Sequence, residues 1–318
     1  MKRLILERDG HDVIPCVATI GMFDGVHKGH RFVLSHVCDY AKAHGLASTV
    51  ITFDKHPKEV VQTDWKPQLL TTFEERMRLL EETGIDRCVV LPFTQEMAML
   101  SAHDFMRLMA ERLGVKVLMT GYDNRFGHNR NDTFEDYMRY GEELGVKVKG
   151  LPSANCQLST INYLLSEVSS SMVRRLLGEG KVHEVSNALT YPYSITGKVV
   201  KGEHIGTHLG YPTANLQMDN PHKMIPVAGV YAVRCVMNDG RSKILKGMMN
   251  IGTRPTFGEH TQTLEVHILD FEGDLYGQTI TVSFIERLRD EQRFESEEEL
   301  KRQLEEDANK VKSLELKV

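Results

Sequence analysis

Gly21-Met22-Phe23-Asp24-Gly25-Val26-His27-Lys28-Gly29-His30 is the stretch on which the reading of the first half of this chain turns. The apolar run over 13–21 reads as a strand. A helix is expected from Gly29, with Phe32, Val33, His36, Val37 and Tyr40 on one face. Glycines at 25 and 29 let the backbone turn tightly and approach a ligand. A helix opening behind such a turn offers free N–H groups and the positive end of its dipole to a phosphate. His27 and His30 fall on one side of that first turn, where they can donate hydrogen bonds to oxygens that gain charge during attack at phosphorus. Taken alone, His-x-x-His reads more often as a capped helix with two surface histidines. A zinc pair would lack a third ligand nearby.

Outward from this stretch, strand and helix signals alternate over 13–185. Strands are expected over 48–53, 87–93, 115–120 and 146–150, and helices over 101–113 and 133–144. Another helix starts at Thr72-Phe73-Glu74-Glu75, where Thr72 can cap and Glu75 reach back. This pattern implies a parallel, doubly covered, Rossmann-like α/β sheet. After Tyr191-Pro192 the signal changes to short runs rich in Val, Ile, Thr and Tyr over 194–201, 229–236, 241–249, 263–269 and 279–286. Asn238-Asp239-Gly240 reads as a hairpin turn between two of them. An all-β small barrel is expected, followed by one terminal helix. Ser296 and Glu299 form a capping box there, and Leu300, Leu304, Ala308 and Val311 line one face. The domains are expected at 1–187 and 188–318.

Composition agrees with two ordinary cores. The 318 residues are 41% hydrophobic and 26% charged, which excludes collagenous and intrinsically disordered classes. Lys plus Arg is 39 against 44 Asp plus Glu, a net charge of −5. That argues against a nucleic-acid or membrane-surface binder, which would need a basic excess. Five scattered cysteines with no Cys-x-x-Cys favour a reducing, cytoplasmic setting over a disulfide framework. The apolar residues 4–6 before Glu7 are too few for a secretory leader. A homo-oligomer is compatible with this composition.

Three further strings extend the first. Thr52-Phe53-Asp54-Lys55-His56-Pro57 ends the second strand, and Gly121-Tyr122-Asp123-Asn124-Arg125-Phe126-Gly127 follows a later one. Both stand at the carboxyl edge, where open α/β sheets bind ligands. Val168-Ser169-Ser170-Ser171-Met172-Val173-Arg174 opens a helix whose serines can cap free N–H groups. Each string alone is also an ordinary turn or cap. In this order they resemble the FMN adenylyltransferase module of bacterial FAD synthetases, within the nucleotidyltransferase superfamily. That family usually has Thr where Ser171 stands, and an aromatic or His is common at Asn124. The resemblance implies that His27 and His30 stabilise the transferring phosphate and Arg174 binds the leaving phosphates. It further implies that Gly21, Phe23, Asp24, Gly25, Gly29, Asp54, His56, Pro57, Asp123, Ser170 and Ser171 hold ATP and flavin.

In the second half, Gly202, Gly206 and Gly210 punctuate the loop before Tyr211-Pro212-Thr213-Ala214-Asn215. Backbone N–H groups of a glycine-rich loop can wrap phosphates, although no P-loop motif is present. Thr213 and Asn215 share a side if extended, and their oxygens suit Mg²⁺. Pro226–Tyr231, Asn250–Phe257, Glu265–Phe271, Leu275-Tyr276-Gly277 and Phe284–Arg289 follow in order, and the set resembles riboflavin kinase. By that resemblance Glu265 is the general base, and Arg289 lies in a segment that closes over nucleotide and flavin. His267, on the face of Glu265, reads as structural. The combined resemblance implies phosphorylation of riboflavin to FMN, then adenylylation of FMN to FAD, with ATP and Mg²⁺. Two rivals stand beside this reading. Relatives that adenylylate pantetheine phosphate or nicotinate nucleotides would not carry a riboflavin kinase-like second half. The presence of His27, His30, Arg174, Thr213, Asn215 and Glu265 speaks against a flavin-binding module in which one site has decayed.

Overall fold

In this computed structural model the chain divides into two units, Met1–Ser170 and Ser171–Val318. The structure describes all residues except 7–9, 63, 122–124, 129–130, 152–167, 203–207, 209, 238–243, 257–258 and 316–318, and only the backbone over 253–256 and 259–261. The expected turn at 238–240 therefore lies outside the described residues.

The first unit holds one all-parallel sheet of β1 (Lys2–Ile5), β2 (Cys16–Ile20), β3 (Ala47–Phe53), β4 (Arg87–Leu91), β5 (Val115–Thr120) and β6 (Lys147–Gly150). Their order is β1-β4-β3-β2-β5-β6. Between them run α1 (Lys28–His44), α2 (Pro57–Val61), α3 (Phe73–Glu81), α4 (Gln95–Ala98), α5 (Ala102–Leu113) and α6 (Phe134–Leu144). Every residue of β2 and β4 is buried, as in strands covered on both faces. The helix starts were locally encoded: Thr72 and Glu75 form the expected box, and Ser101 and Thr133 cap α5 and α6.

Two expectations are corrected. β1 was not read as a strand, because Lys2 and Arg3 are exposed and only its pairing with β4 makes it one. The core face of α1 is Leu34, Val37 and Ala41 rather than the row of Phe32, His36 and Tyr40. That row stays half-buried because His36 and His44 bond back to the carbonyls of Phe32 and Tyr40, which keeps their rings at the helix surface.

α7 (Ser170–Gly178) opens at the boundary between units, and α8 (Val182–Leu189) follows. Leu177 O accepts from Val227 N at 3.1 Å, which ties α7 to the start of the barrel. The two helices thus belong in space to the second unit, although α7 precedes and α8 straddles the 187/188 boundary expected from the motifs. The barrel closes in the order β10-β11-β8-β7-β12-β9. Its strands are β7 (Ser194–Val200), β8 (Ala214–Met218), β9 (Gly229–Met237), β10 (Ile244–Thr256), β11 (Glu259–Ile268) and β12 (Thr279–Arg289). β8 was not read as a strand: it begins inside the polar Pro-Thr-Ala-Asn segment and buries only Leu216.

The terminal helix α9 (Glu297–Ser313) lays Ala308 and Val311 on Ala232, Met248 and Leu269, with Leu304 partly buried beside them. Ser296 caps it as expected, but the Glu299 carboxylate reaches Glu295 N rather than its cap residue. No helix among the described residues is long and apolar enough to cross a membrane.

Candidate active sites

β3, β2 and β5 are neighbours, and each is followed by one of the sequence strings: Asp54 after β3, Gly21 after β2, Gly121 after β5. The chain order reverses across β2, so these loops flank the crevice where open parallel sheets bind ligands.

At that edge His27 is the N-cap of α1, its Nδ1 accepting from His30 N at 3.4 Å. The two imidazoles stack with centroids 3.6 Å apart and planes 20° apart, and Phe23 meets His30 edge-on at 5.0 Å. Burial, and then the neighbouring His27, hold the pKa of His30 well below its usual 6.5. His30 is therefore neutral at neutral pH and keeps one ring N–H to donate. Its Nδ1 is buried and has no hydrogen-bond partner among the described residues.

A lowered imidazole pKa has a stability consequence of fixed sign. The unfolded chain takes up the proton near pH 6.5 while the folded chain resists it, so this contribution is present above 6.5 and lost as pH falls below it. The melting-temperature gap between the wild-type chain and His30→Ala should narrow from pH 7 to pH 5. A gap that stays constant or widens would contradict the shift.

The loop that carries the histidines is strained. Phe23 and Val26 have φ of 52° and 36°, and Gly25 has 82°. Side chains beyond glycine rarely adopt such values, at about 1–3 kcal/mol each. Asp24 holds the loop down. Its buried carboxylate accepts from Leu70 N at 3.0 Å and from Thr71 N and Thr71 Oγ1 at 2.9 Å. Gly25 N donates to Thr71 Oγ1 at 3.1 Å, and Ser170 Oγ donates to Asp24 O at 2.9 Å. Asp24, expected to hold substrate, thus has its carboxylate turned onto this anchor. Asp24→Ala should destabilise the chain by about 2–4 kcal/mol, because it orphans buried donors. Urea unfolding would read this, and a loss below about 0.5 kcal/mol, the range of a surface substitution, would contradict it.

Arg76 was missed by the sequence reading, since a lone arginine on a helix usually faces solvent. It is 2% exposed, and its guanidinium donates to Phe53 O at 2.5 Å and lies 3.5 Å from Met22 Sδ. Burial pulls its pKa down and the Asp24 carboxylate counters. This cation joins the ends of β2 and β3. Asp54 Oδ1 accepts from Lys55 N at 2.8 Å and Phe93 N at 2.9 Å, joining β3 to the segment after β4. His56 caps α2 with Pro57 in its first turn. Gly21 and Gly29 sit in close quarters: a Cβ would meet the Phe23 ring at 3.1 Å and Val168 O at 3.0 Å respectively. Asp123 lies outside the described residues; Ser171 and Arg174 lie on α7.

A cleft of about 490 Å³ opens here, with walls that include Phe53, Phe93, Phe105 and Phe126, and with His56 and Arg125 among its polar groups. Phe53 and Phe93 meet edge-to-face at 5.0 Å. Such a slot suits a flat aromatic ligand with a polar end. The sequence carried a signal for it that was not used: Phe53, Phe93 and Phe126 each stand at or shortly after the end of a strand.

In the barrel, Glu265 of β11 lies opposite Asn215 of β8 on one side and Asn250 of β10 on the other. Leu264, Val266 and Ile268 fill the buried face of β11, which puts Glu265 and His267 on its half-buried opposite face. Direct cross-strand neighbours have Cβ atoms roughly 4.5–5.5 Å apart, so the carboxylate sits between two amides. His267 Nδ1 lies 2.8 Å from Pro212 O, and Tyr211 packs on its ring at 5.1 Å, fastening the segment before Thr213. A Cβ on Gly202 would overlap the Asn215 amide, so only glycine lets this loop approach β8.

Gly202 and Thr213 line a cleft of about 270 Å³ with Lys201, Phe271, Leu275 and Tyr276. Gly210 has φ 83°. Gly206 lies outside the described residues. Glu291, absent from the sequence reading, lies over the same strands: a Cβ on Gly252 would meet its Oε1 at 2.7 Å and Thr263 Oγ1 at 2.9 Å. Arg289 is engaged elsewhere, its Nε and Nη2 both 2.9 Å from Asp307 of α9 and its Nη1 3.1 Å from Asp290 O.

Known proteins match this division. The FAD synthetase family model matches residues 10–163 and the riboflavin kinase family model residues 189–315. A bifunctional riboflavin kinase/FMN adenylyltransferase of Escherichia coli K12 is 38% identical over 290 residues, covering 91% of this chain and 89% of its own length. A protein of the same description from Pseudomonas fluorescens is 36% identical over 315 residues, with 97% of each chain covered. A crystal structure described as a macrolide-efflux protein from Streptococcus pneumoniae superimposes with a TM-score of 0.87 at 28% identity, covering 99% of this chain and all of that one. With both family models on one chain and relatives of this identity along nearly its whole length, the chain belongs to the bifunctional riboflavin kinase/FMN adenylyltransferase family.

Proposed function

We infer that this chain makes FMN from riboflavin and ATP in its barrel and FAD from FMN and ATP in its α/β unit. The observation that carries the reading is the register of β8, β11 and β10, which sets Glu265 opposite Asn215 on one side and Asn250 on the other. Glu265 removes the proton of the riboflavin 5′-hydroxyl as its oxygen bonds to the γ-phosphorus and the bond to the β-phosphate oxygen breaks, releasing ADP. Thr213 and Asn215 offer neutral, hard oxygens, which fit a Mg²⁺ ion that keeps its waters and substrate phosphates as further ligands. Bound there, the ion would neutralise phosphate charge.

In the α/β unit a phosphate oxygen of FMN attacks the α-phosphorus of ATP and pyrophosphate leaves. His27 and His30 donate to the α-phosphate oxygens, and the open turn of α1 supplies N–H groups. The aromatic cleft holds the flavin ring, and by the family resemblance Ser171, Arg174 and Asp123 are assigned to nucleotide binding. By the motif sets the adenylyltransferase residues fall within 1–187 and the kinase residues within 188–318, although residues 171–187 pack with the second unit. Whether the chain acts as a monomer or a homo-oligomer, each copy carries both residue sets, and a cytoplasmic setting suits its free thiols. The reading is tested by incubating the chain with riboflavin, ATP and MgCl₂ and resolving the flavins. FMN followed by FAD is expected, and FAD alone from added FMN. Failure to phosphorylate riboflavin, or to convert supplied FMN, overturns the corresponding half.

A further inference from the structure

Phe126 forms part of the aromatic cleft, and it is 8% exposed. It stands beyond the end of β5, so its peptide groups have no strand partner. One side chain replaces that partner. Phe126 N donates to the Tyr137 hydroxyl at 3.1 Å, and the same hydroxyl donates to Phe126 O at 3.2 Å. The two rings stack at 4.3 Å with planes 10° apart, and Phe105 leans on Phe126 from 5.9 Å. Tyr137 is 1% exposed, comes from α6, and does not line the cleft. The next residues are pinned too: His128 N donates to Leu100 O at 2.8 Å, and Gly127, with φ 89°, leaves no room for a Cβ against Ala102 N.

We propose that Tyr137 is a positioning residue for the adenylyltransferase step, its hydroxyl holding the Phe126 backbone so that the Phe126 ring is a fixed wall for the flavin. This rests on the reading of the aromatic cleft as the flavin site. A buried N–H and C=O without a partner would drive the segment to rearrange toward water. The wall would then have to be ordered each time flavin binds, and that cost falls on affinity rather than on the chemical step.

Tyr137→Phe in the full chain keeps the ring and its stack and removes only the hydroxyl. The KM for FMN, and the Kd for FMN read by quenching of flavin fluorescence, should rise by roughly tenfold, the change produced by about 1.4 kcal/mol. The kcat at saturating FMN, the KM for ATP in the same reaction and riboflavin phosphorylation should stay within about twofold, a difference of roughly 0.4 kcal/mol. A merely structural defect would instead lower kcat or raise both KM values together, and either result overturns the proposal.

Phe126→Ala separates this inference from the reading beneath it. If that variant raises the KM for FMN and Tyr137→Phe does not, the hydroxyl lock fails and the cleft assignment stands. If neither variant moves it, or if the KM for ATP rises instead, the cleft is not the flavin site and both fail. In the wild-type chain the Phe126 amide should exchange hydrogen as slowly as those of β5, and exchange at the rate of an open loop would also overturn the lock.

Discussion

Glu265→Gln is expected to slow FMN formation by ~10²–10⁴ while FAD formation from supplied FMN continues at the wild-type rate. Glutamine keeps the length and shape of the side chain and can still hydrogen-bond to neighbouring amides. It cannot accept the hydroxyl proton. Because Glu265 lies opposite both Asn215 and Asn250, loss of the carboxylate changes the chemistry at one point of an otherwise intact ladder. The steady-state rate of ADP release with riboflavin as acceptor measures the effect. A change of less than about threefold would mean that general-base catalysis by this group supplies almost none of the expected factor.

His30→Ala is expected to have the complementary effect, lowering FAD formation by ~10²–10³ with FMN formation unchanged, the size found when one donor to a developing oxyanion is removed. His30 is the better probe of the pair. His27 also caps α1, so His27→Ala would add a cap loss of about 0.5–2 kcal/mol to any catalytic defect. His27→Asn retains a capping acceptor and should therefore lower pyrophosphate release without moving the unfolding midpoint. Pyrophosphate release within about threefold of wild type in His30→Ala would remove the histidine pair from the transition state.

The contrast between what was and was not legible in the sequence follows the range of the interactions. Thr72, Ser101 and Thr133 each bond an N–H three residues on, so their helix starts are written locally. The motif order gave the two activities because phosphate sites reuse short backbone turns. β1 and β8 were not legible, since polar residues there become strands only through pairing with other segments, β4 for β1 and β7 and β11 for β8. Asp24 illustrates the same limit inside a motif: its type matched a substrate ligand, but Leu70 and Thr71 claim its carboxylate. Arg289 likewise meets Asp307 on a helix whose docking the local sequence does not specify. Tyr137 carries no motif at all, and only the fold brings its hydroxyl to Phe126.

The central claim is that one chain carries two independent sites. The most direct measurement is flavin-resolved chromatography of riboflavin plus ATP incubated with Glu265→Gln alone, His30→Ala alone and an equimolar mixture of the two. Almost no product is expected from the first, FMN without FAD from the second, and FAD from the mixture as released FMN passes between chains. If either variant alone lost both activities when FMN was also supplied, or if the mixture made no FAD, the two-site account would be contradicted.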